Sequence, residues 1–220
     1  MRARENPFAV QRLDALAYRL RGESWQSLLA RLGGLRRRAA IVGPEGHGKT
    51  TLLEELARRL ARDGMRPRWL QLRRGEGRAA RHALRELTRG VDGDDLLLVD
   101  GAQELGPLAW RRLRWRSRAA GGLLVTSHRP GLLPTLIECR TSVELLAELL
   151  RELDPAATVP LPSAAELLDR HGGNVRAALL AAYDIASEVT SPPSPSPRTP
   201  SAPRRSPSAG ARPAPWRTSG

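Results

Sequence analysis

The stretch GPEGHGKT, residues 43–50, contains the chain's only lysine: among its 36 basic residues, every one except Lys49 is arginine. Gly43, Gly48, Lys49 and Thr50 occupy the fixed positions of the pattern G-x-x-x-x-G-K-[ST]. The glycines let the backbone curl until successive N–H groups point into one concavity, which suits phosphate oxygens. A lysine ammonium is a compact charge on a flexible stem, whereas a planar, forked guanidinium fits such a nest poorly. The threonine hydroxyl is a ligand for Mg²⁺. The chemistry expected here is the holding of nucleotide phosphates by Gly43, Pro44, Glu45, Gly46, His47, Gly48, Lys49, Thr50 and Thr51.

A second group lies in LLLVDGAQEL, residues 96–105. Its apolar run ends on Asp100, which in a phosphate-loop protein holds Mg²⁺ beside the threonine of the loop. An acid at that place can also form a turn. Hydrolytic proteins of this kind usually carry a glutamate directly after the aspartate, as base for the attacking water. Here that position is Gly101. Glu104 follows one helical turn later, Gln103 can orient a water, and Glu76 is a further candidate from the neighbouring strand. Phosphate binding follows from the two motifs; hydrolysis requires one of these groups to replace the missing base.

The elements that must position these residues alternate. Short apolar runs at 39–42, 68–72, 96–99, 123–126 and 136–139 predict strands buried on both faces, as in a parallel sheet. After the first run, Leu52, Leu53, Leu56 and Leu60 form one helical stripe that stops at Gly64. Ala80, Leu84 and Leu87 repeat the pattern before Gly90, and Pro107 opens a helix running to Arg118. Thr141 with Glu144, and Ser163 with Glu166, have the spacing of capping boxes. The last helix is expected from about Asn174 to Val189, with Val175, Ala178, Leu179, Ala182, Ile185, Ala186 and Val189 on its buried stripe. Strands alternating with helices indicate an α/β sheet.

The net charge of +13 raises nucleic acid or an anionic membrane surface as partners, although arginine and acid are interleaved on the expected helices. From residue 190 onward the chain is rich in proline, serine and arginine, and cannot offset its ordering entropy by burial. Such a tail is expected to be disordered, either as an unselected extension or as a ligand for an acidic or proline-reading partner. Trp110 and Trp115 alternate with Arg111, Arg112, Arg114, Arg116 and Arg118. That helix can track single-stranded bases and phosphates, or pack its tryptophans on the sheet with arginines in water. Trp25 and Trp69 read as core or staple residues, and Cys139 as inert packing. One cysteine excludes an intrachain disulfide, and the Cys/His spacings of a zinc site are absent. With no apolar signal core or membrane-length apolar run, the expectation is a soluble, cytoplasmic chain.

Together these motifs resemble AAA+-type ATPases, particularly single-domain ones related to origin-recognition, transposition-helper and secretion ATPases. The resemblance covers roughly residues 5 to 189. It implies a three-layer P-loop NTPase sandwich with a five-stranded parallel sheet in the order 5-1-4-3-2 and a small helical lid. The expected division is an ATPase core at 1–155, a lid at 156–189 and the tail at 190–220. It further implies that ENPFAV lies over the adenine, making Pro7, Phe8 and Val10 base contacts, and that DGAQ is a form of the family's DEAQ without its acid. Thr126 and Ser127, with His128 behind them, would sense the γ-phosphate. Arg176, in RHGGNVRAAL, would be the lid's sensor arginine. Arg129 lies where an arginine finger would be sought, but no finger stands out among so many arginines.

The resulting expectation is an ATP hydrolase using ATP and Mg²⁺. Lys49, Glu104, Thr126 and Arg176 would serve catalysis, and Thr50 and Asp100 the metal. Its alternatives are a non-hydrolytic nucleotide switch and a DNA-associated ATPase helper. A protein client or DNA is the expected partner, with no membrane and with the oligomeric state open. No guanine-specifying NKxD-like motif occurs, which favours ATP over GTP.

Overall fold

The computed structural model describes residues 6–9, 12–13, 16, 18–75 and 77–190. The expectations placed on Val10, Glu76, the side chain of Val189 and the tail from 191 lie outside the described residues.

Strands β1 (Arg38–Val42), β2 (Arg66–Gln71), β3 (Asp95–Asp100), β4 (Gly122–Ser127) and β5 (Thr135–Glu138) form one sheet. Its order is β2-β3-β4-β1-β5 with every pair parallel, which is the expected 5-1-4-3-2 read from the other edge. Between and around the strands run α1 (Trp25–Gly34), α2 (Lys49–Arg62), α3 (Gly77–Leu87), α4 (Pro107–Arg116), α5 (Val143–Leu153), α6 (Ala164–Arg170) and α7 (Val175–Thr190).

Alternation along the strands divides the core into two faces. Ala40, Val42, Leu97 and Val99 pack against Ala80, Leu84 and Leu87 of α3 and Leu113 of α4. Ala39, Ile41, Leu96 and Leu98 point the other way, onto Leu28 and Leu32 of α1 and Leu52, Leu53 and Leu56 of α2. These two helical layers with the sheet between them make a three-layer sandwich. A third apolar cluster joins Leu146, Leu149 and Leu153 of α5 to Leu167 of α6 and Ala178, Leu179 and Ala182 of α7. By packing, α5 therefore groups with the lid helices, although it lies before the expected division at residue 155.

The expected sequence pattern left out α1, whose signals are local: Ser24 caps it by accepting from the Ser27 amide, and Leu28 and Leu32 face the core. Arg59 of α2 lies over the Trp25 ring, 4.1 Å from its centroid, tying the two helices together. The capping box expected at Ser163 and Glu166 is present. The one expected at Thr141 is not: Ser142 caps α5, because the Thr141 hydroxyl donates instead to the Gly173 carbonyl at 2.8 Å. Trp69 is also not a core residue. It stands on edge strand β2, which has only β3 as a neighbour, and is 46% exposed. No helix among the described residues is long and apolar enough to cross a membrane.

Candidate functional site

β1, an interior strand between β4 and β5, ends at Val42, and the chain turns through residues 43–48 into α2. The N-cap of α2 is Gly48 in a left-handed conformation, and no side chain caps it. Its first-turn amides therefore remain available to an anion, with the positive end of the helix dipole behind them. Gly46 has φ 74°, and a Cβ there would collide with the Asn174 side chain. The absence of a side chain at Gly46 is what lets Asn174, the N-cap residue of α7, rest directly on the loop.

Lys49 is 8% exposed, and its ammonium donates to the Pro44 carbonyl across the loop at 2.6 Å. Burial holds its pKa below the ordinary lysine value, opposed by nearby Cys139, Asp100 and Glu45. An incoming anion would add the same kind of stabilisation that Asp100 and Glu45 supply in part. Beneath the loop, Cys139 is buried, accepts from the Tyr18 hydroxyl at 3.6 Å, and has its thiol pKa pushed up by burial.

Beside the loop, β3 ends on Asp100. One carboxylate oxygen accepts from Thr50 Oγ1 at 2.9 Å and the other from Thr126 Oγ1 at 2.5 Å. Thr126, 1% exposed, also accepts from the Gly101 amide at 2.8 Å. Thr50 and Asp100, paired from the sequence, are thus brought together in space, and Thr126 at the end of β4 joins them. The Thr50 hydroxyl and the Asp100 carboxylate are hard oxygens side by side, the donor type Mg²⁺ takes. No cluster of three or more His, Cys, Asp or Glu suited to a metal occurs among the described residues.

Gly101 has φ 82°, and a Cβ there would stand 2.6 Å from the Leu72 carbonyl oxygen. The position after the aspartate is closed to any side chain on two counts, backbone conformation and space. A 3₁₀ turn, Ala102–Glu104, follows. It brings exposed Glu104 and half-buried Gln103 to the cleft wall. The Gln103 Oε1 atom is buried without a hydrogen-bond partner among the described residues.

The cleft over the loop encloses about 1460 Å³. Lys49, Thr50, Asp100, Gln103, Glu104, Thr126, His128 and Arg176 all line it. Arg176 stands in the first turn of α7, whose N-cap Asn174 accepts from the Ala177 amide at 2.9 Å. His47 Nδ1 lies 2.9 Å from the Glu45 carbonyl, and a Cβ built at Gly173 of the lid would stand 3.7 Å from both the His47 ring and Thr141 Oγ1. Pro7 and Phe8 are not among the residues lining the cleft. Phe8 is fully buried in the lid cluster, because Asn6 ties this segment to α7 through Tyr183 O and Ser187 Oγ. The apolar wall is made instead by Leu13, Leu16 and Tyr18 from the N-terminal segment and by Ile137, Leu145 and Leu149. Sequence reasoning passed over Tyr18, whose only signal was an aromatic residue shortly before the first helix. Arg129 does not line the cleft.

A parallel 5-1-4-3-2 sheet with a phosphate loop after its interior strand β1 and a helical lid resting on that loop is the fold of the AAA+-type P-loop ATPases. No family model and no curated protein sequence matches the chain. Among solved structures it is similar to a point mutant of Thermotoga maritima RuvB, at 15% identity and a TM-score of 0.50, covering 75% of this chain and 68% of that one. A second point mutant of the same protein gives 17% identity and a TM-score of 0.50, over 74% of this chain and 66% of that one. At such identities the likeness is one of fold.

Proposed function

We propose that the chain binds MgATP in the cleft, hydrolyses it slowly, and uses the bound state to set the position of its lid. The observation that carries this reading is the junction of three elements at one point. Lys49 is held in the loop, Thr50 and Asp100 are joined at 2.9 Å, and Gly46 meets Asn174 of the lid.

In this reading, the amides of residues 45–50 and the Lys49 ammonium hold the phosphates and stabilise charge that develops on the transferred group. Lys49 must exchange its contact with Pro44 for a phosphate oxygen, a neutral partner for a charged one. Thr50 and Asp100 would hold Mg²⁺, which would supply charge neutralisation at the phosphates. The Thr126 hydroxyl, already bonded to Asp100 and to the Gly101 amide, transmits the state of the carboxylate to the start of the 3₁₀ turn. Glu104 receives a proton from the attacking water or orients that water. Arg176, one residue after the first residue of α7, would follow the terminal phosphate and move the lid with it.

A second reading, a nucleotide switch without turnover, is favoured by one observation: Gly101 leaves no room for the usual base. Steady-state phosphate release from MgATP separates the two. The wild type should turn over, Lys49→Ala should not, and Glu104→Gln should lose turnover while retaining ATP binding. Binding without phosphate release in the wild type would remove the hydrolytic reading for the isolated protein.

A further inference from the structure

We propose that a groove at the far end of the sheet from the nucleotide cleft binds single-stranded nucleic acid, stacking a base on Trp115 and holding flanking phosphates on Arg85, Arg116 and Arg118. This goes beyond the nucleotide reading and does not depend on it. In parallel α/β units each helix runs back against its strands, so the C-terminal ends of α3 and α4 lie at the edge opposite the phosphate loop. There a groove of about 590 Å³ is walled by Arg85 of α3 and Arg89 just beyond it, by Trp115 and Arg116 at the end of α4, and by Arg118 in the 3₁₀ turn that follows.

Basic residues at a helix C-terminus have an ordinary role, which is to satisfy its last carbonyls and oppose its dipole. Here two other arginines take the carbonyls at and just past the two helix ends. Arg38, from the start of β1, donates to the carbonyls of Ser117 at 2.6 Å and Ala120 at 3.1 Å. Arg68 of β2 donates to the carbonyls of Arg89 at 2.7 Å and Leu87 at 3.3 Å. Around the groove, Arg89 pairs with Glu86 at 3.0 Å. Among the described residues no carboxylate pairs with Arg85, Arg116 or Arg118. Two helix ends contribute roughly one negative charge between them. Three unpaired guanidiniums exceed that, so the groove carries a net positive field.

Trp115 is 64% exposed and is not needed to dock α4, since Leu113, at 1% exposed, and the partly buried Trp110 do that. A large exposed aromatic flanked by unpaired guanidiniums offers a π-face and phosphate donors within one groove. An acidic protein segment would use the charges but not the ring. A base with its phosphates uses both, and any base has a face to stack.

The test is fluorescence anisotropy of a labelled oligothymidylate of about twelve nucleotides, titrated with the full chain across a salt series. Arg116→Ala with Arg118→Ala is expected to weaken binding by about tenfold or more and to lower the salt slope by about 2. Trp115→Ala should weaken it by about tenfold, whereas Trp115→Phe should keep most of the affinity. Arg62→Ala with Arg151→Ala removes the same charge elsewhere on the surface and should leave affinity near wild type; circular dichroism checks that every variant is folded. The C-terminal arginines are common to all variants and cancel from the comparison. An oligouridylate should bind within about threefold, because the contacts are to base faces and phosphates. Equal losses in the two arginine pairs would show diffuse electrostatic binding and overturn the groove. Loss in Arg116→Ala/Arg118→Ala with none in Trp115→Ala would mark an anionic or acidic-peptide site and overturn the single-strand assignment. Preferential binding of duplex, or no binding at low salt, would overturn it as well.

Discussion

Replacing Gly101 tests whether the missing glutamate is a loss that could simply be restored. Gly101→Ala and Gly101→Glu both place a Cβ at φ 82°, 2.6 Å from the Leu72 carbonyl oxygen. The left-handed backbone alone costs about 1–2 kcal/mol for an L-residue. The clash is with backbone joined to β3, since the Leu72 amide donates to Asp100 O at 2.8 Å, so relief must shift a strand end. That adds about 1–3 kcal/mol. For a chain of this size a total of about 2–5 kcal/mol lowers Tm by roughly 5–15 °C. Thermal unfolding followed by circular dichroism reads the shift. The same displacement would pull the Gly101 amide from Thr126, so phosphate release should not rise in either variant. A Gly101→Glu protein as stable as wild type with faster phosphate release would refute this reasoning, because it would mean the position accepts a base.

Other outcomes follow from single contacts. Phe8→Ala, in the lid cluster, should cost about 3–5 kcal/mol of stability without changing preference for ATP over GTP, whereas Tyr18→Ala should change nucleotide affinity. Competition binding with the two nucleotides and urea melts check this. Gly46→Ala drives a Cβ into Asn174 Oδ1, so it should weaken nucleotide affinity by displacing the cap of α7 while leaving the sheet core intact by near-ultraviolet circular dichroism. The Lys49 pKa is held down by burial, so the unfolded chain binds the proton more tightly and this lysine's contribution to stability rises as pH climbs through its lowered folded value. Nucleotide affinity should run the opposite way and fall with pH in the same alkaline window. Calorimetry there should show proton uptake on ATP binding, which Lys49→Ala abolishes.

The strand pattern was legible because each central strand is buried on both faces, so Ala39–Val42 and Leu96–Val99 appear as unbroken apolar runs. The edge strand β2 reads less clearly: Trp69 lies in an apolar run yet faces solvent, since an edge position covers fewer side chains. The loop and Asp100 were legible because phosphate and metal chemistry fixes residue types at fixed spacing. The wall of Leu13, Leu16 and Tyr18 was not, because an apolar surface accepts many residue types and its location depends on tertiary packing of residues far apart in sequence. Phe8 illustrates the same limit, since an aromatic residue near a nucleotide site has two apolar places to go and Asn6 fixes which one. The displaced cap at Ser142 has a tertiary cause, as Thr141 is claimed by a carbonyl 32 residues away. The reason Gly101 is glycine lies in the proximity of Leu72, which no local pattern contains.

The central claim is that the loop around Lys49 holds nucleotide phosphates, and equilibrium binding of MgATP by titration calorimetry tests it most directly. Wild-type protein should bind one nucleotide per chain. Lys49→Ala should lose about tenfold to a hundredfold in affinity, the worth of one charge-assisted contact of about 1.5–3 kcal/mol, with its fold unchanged by circular dichroism. Equal affinity in the two proteins, or no binding by either, would contradict the account.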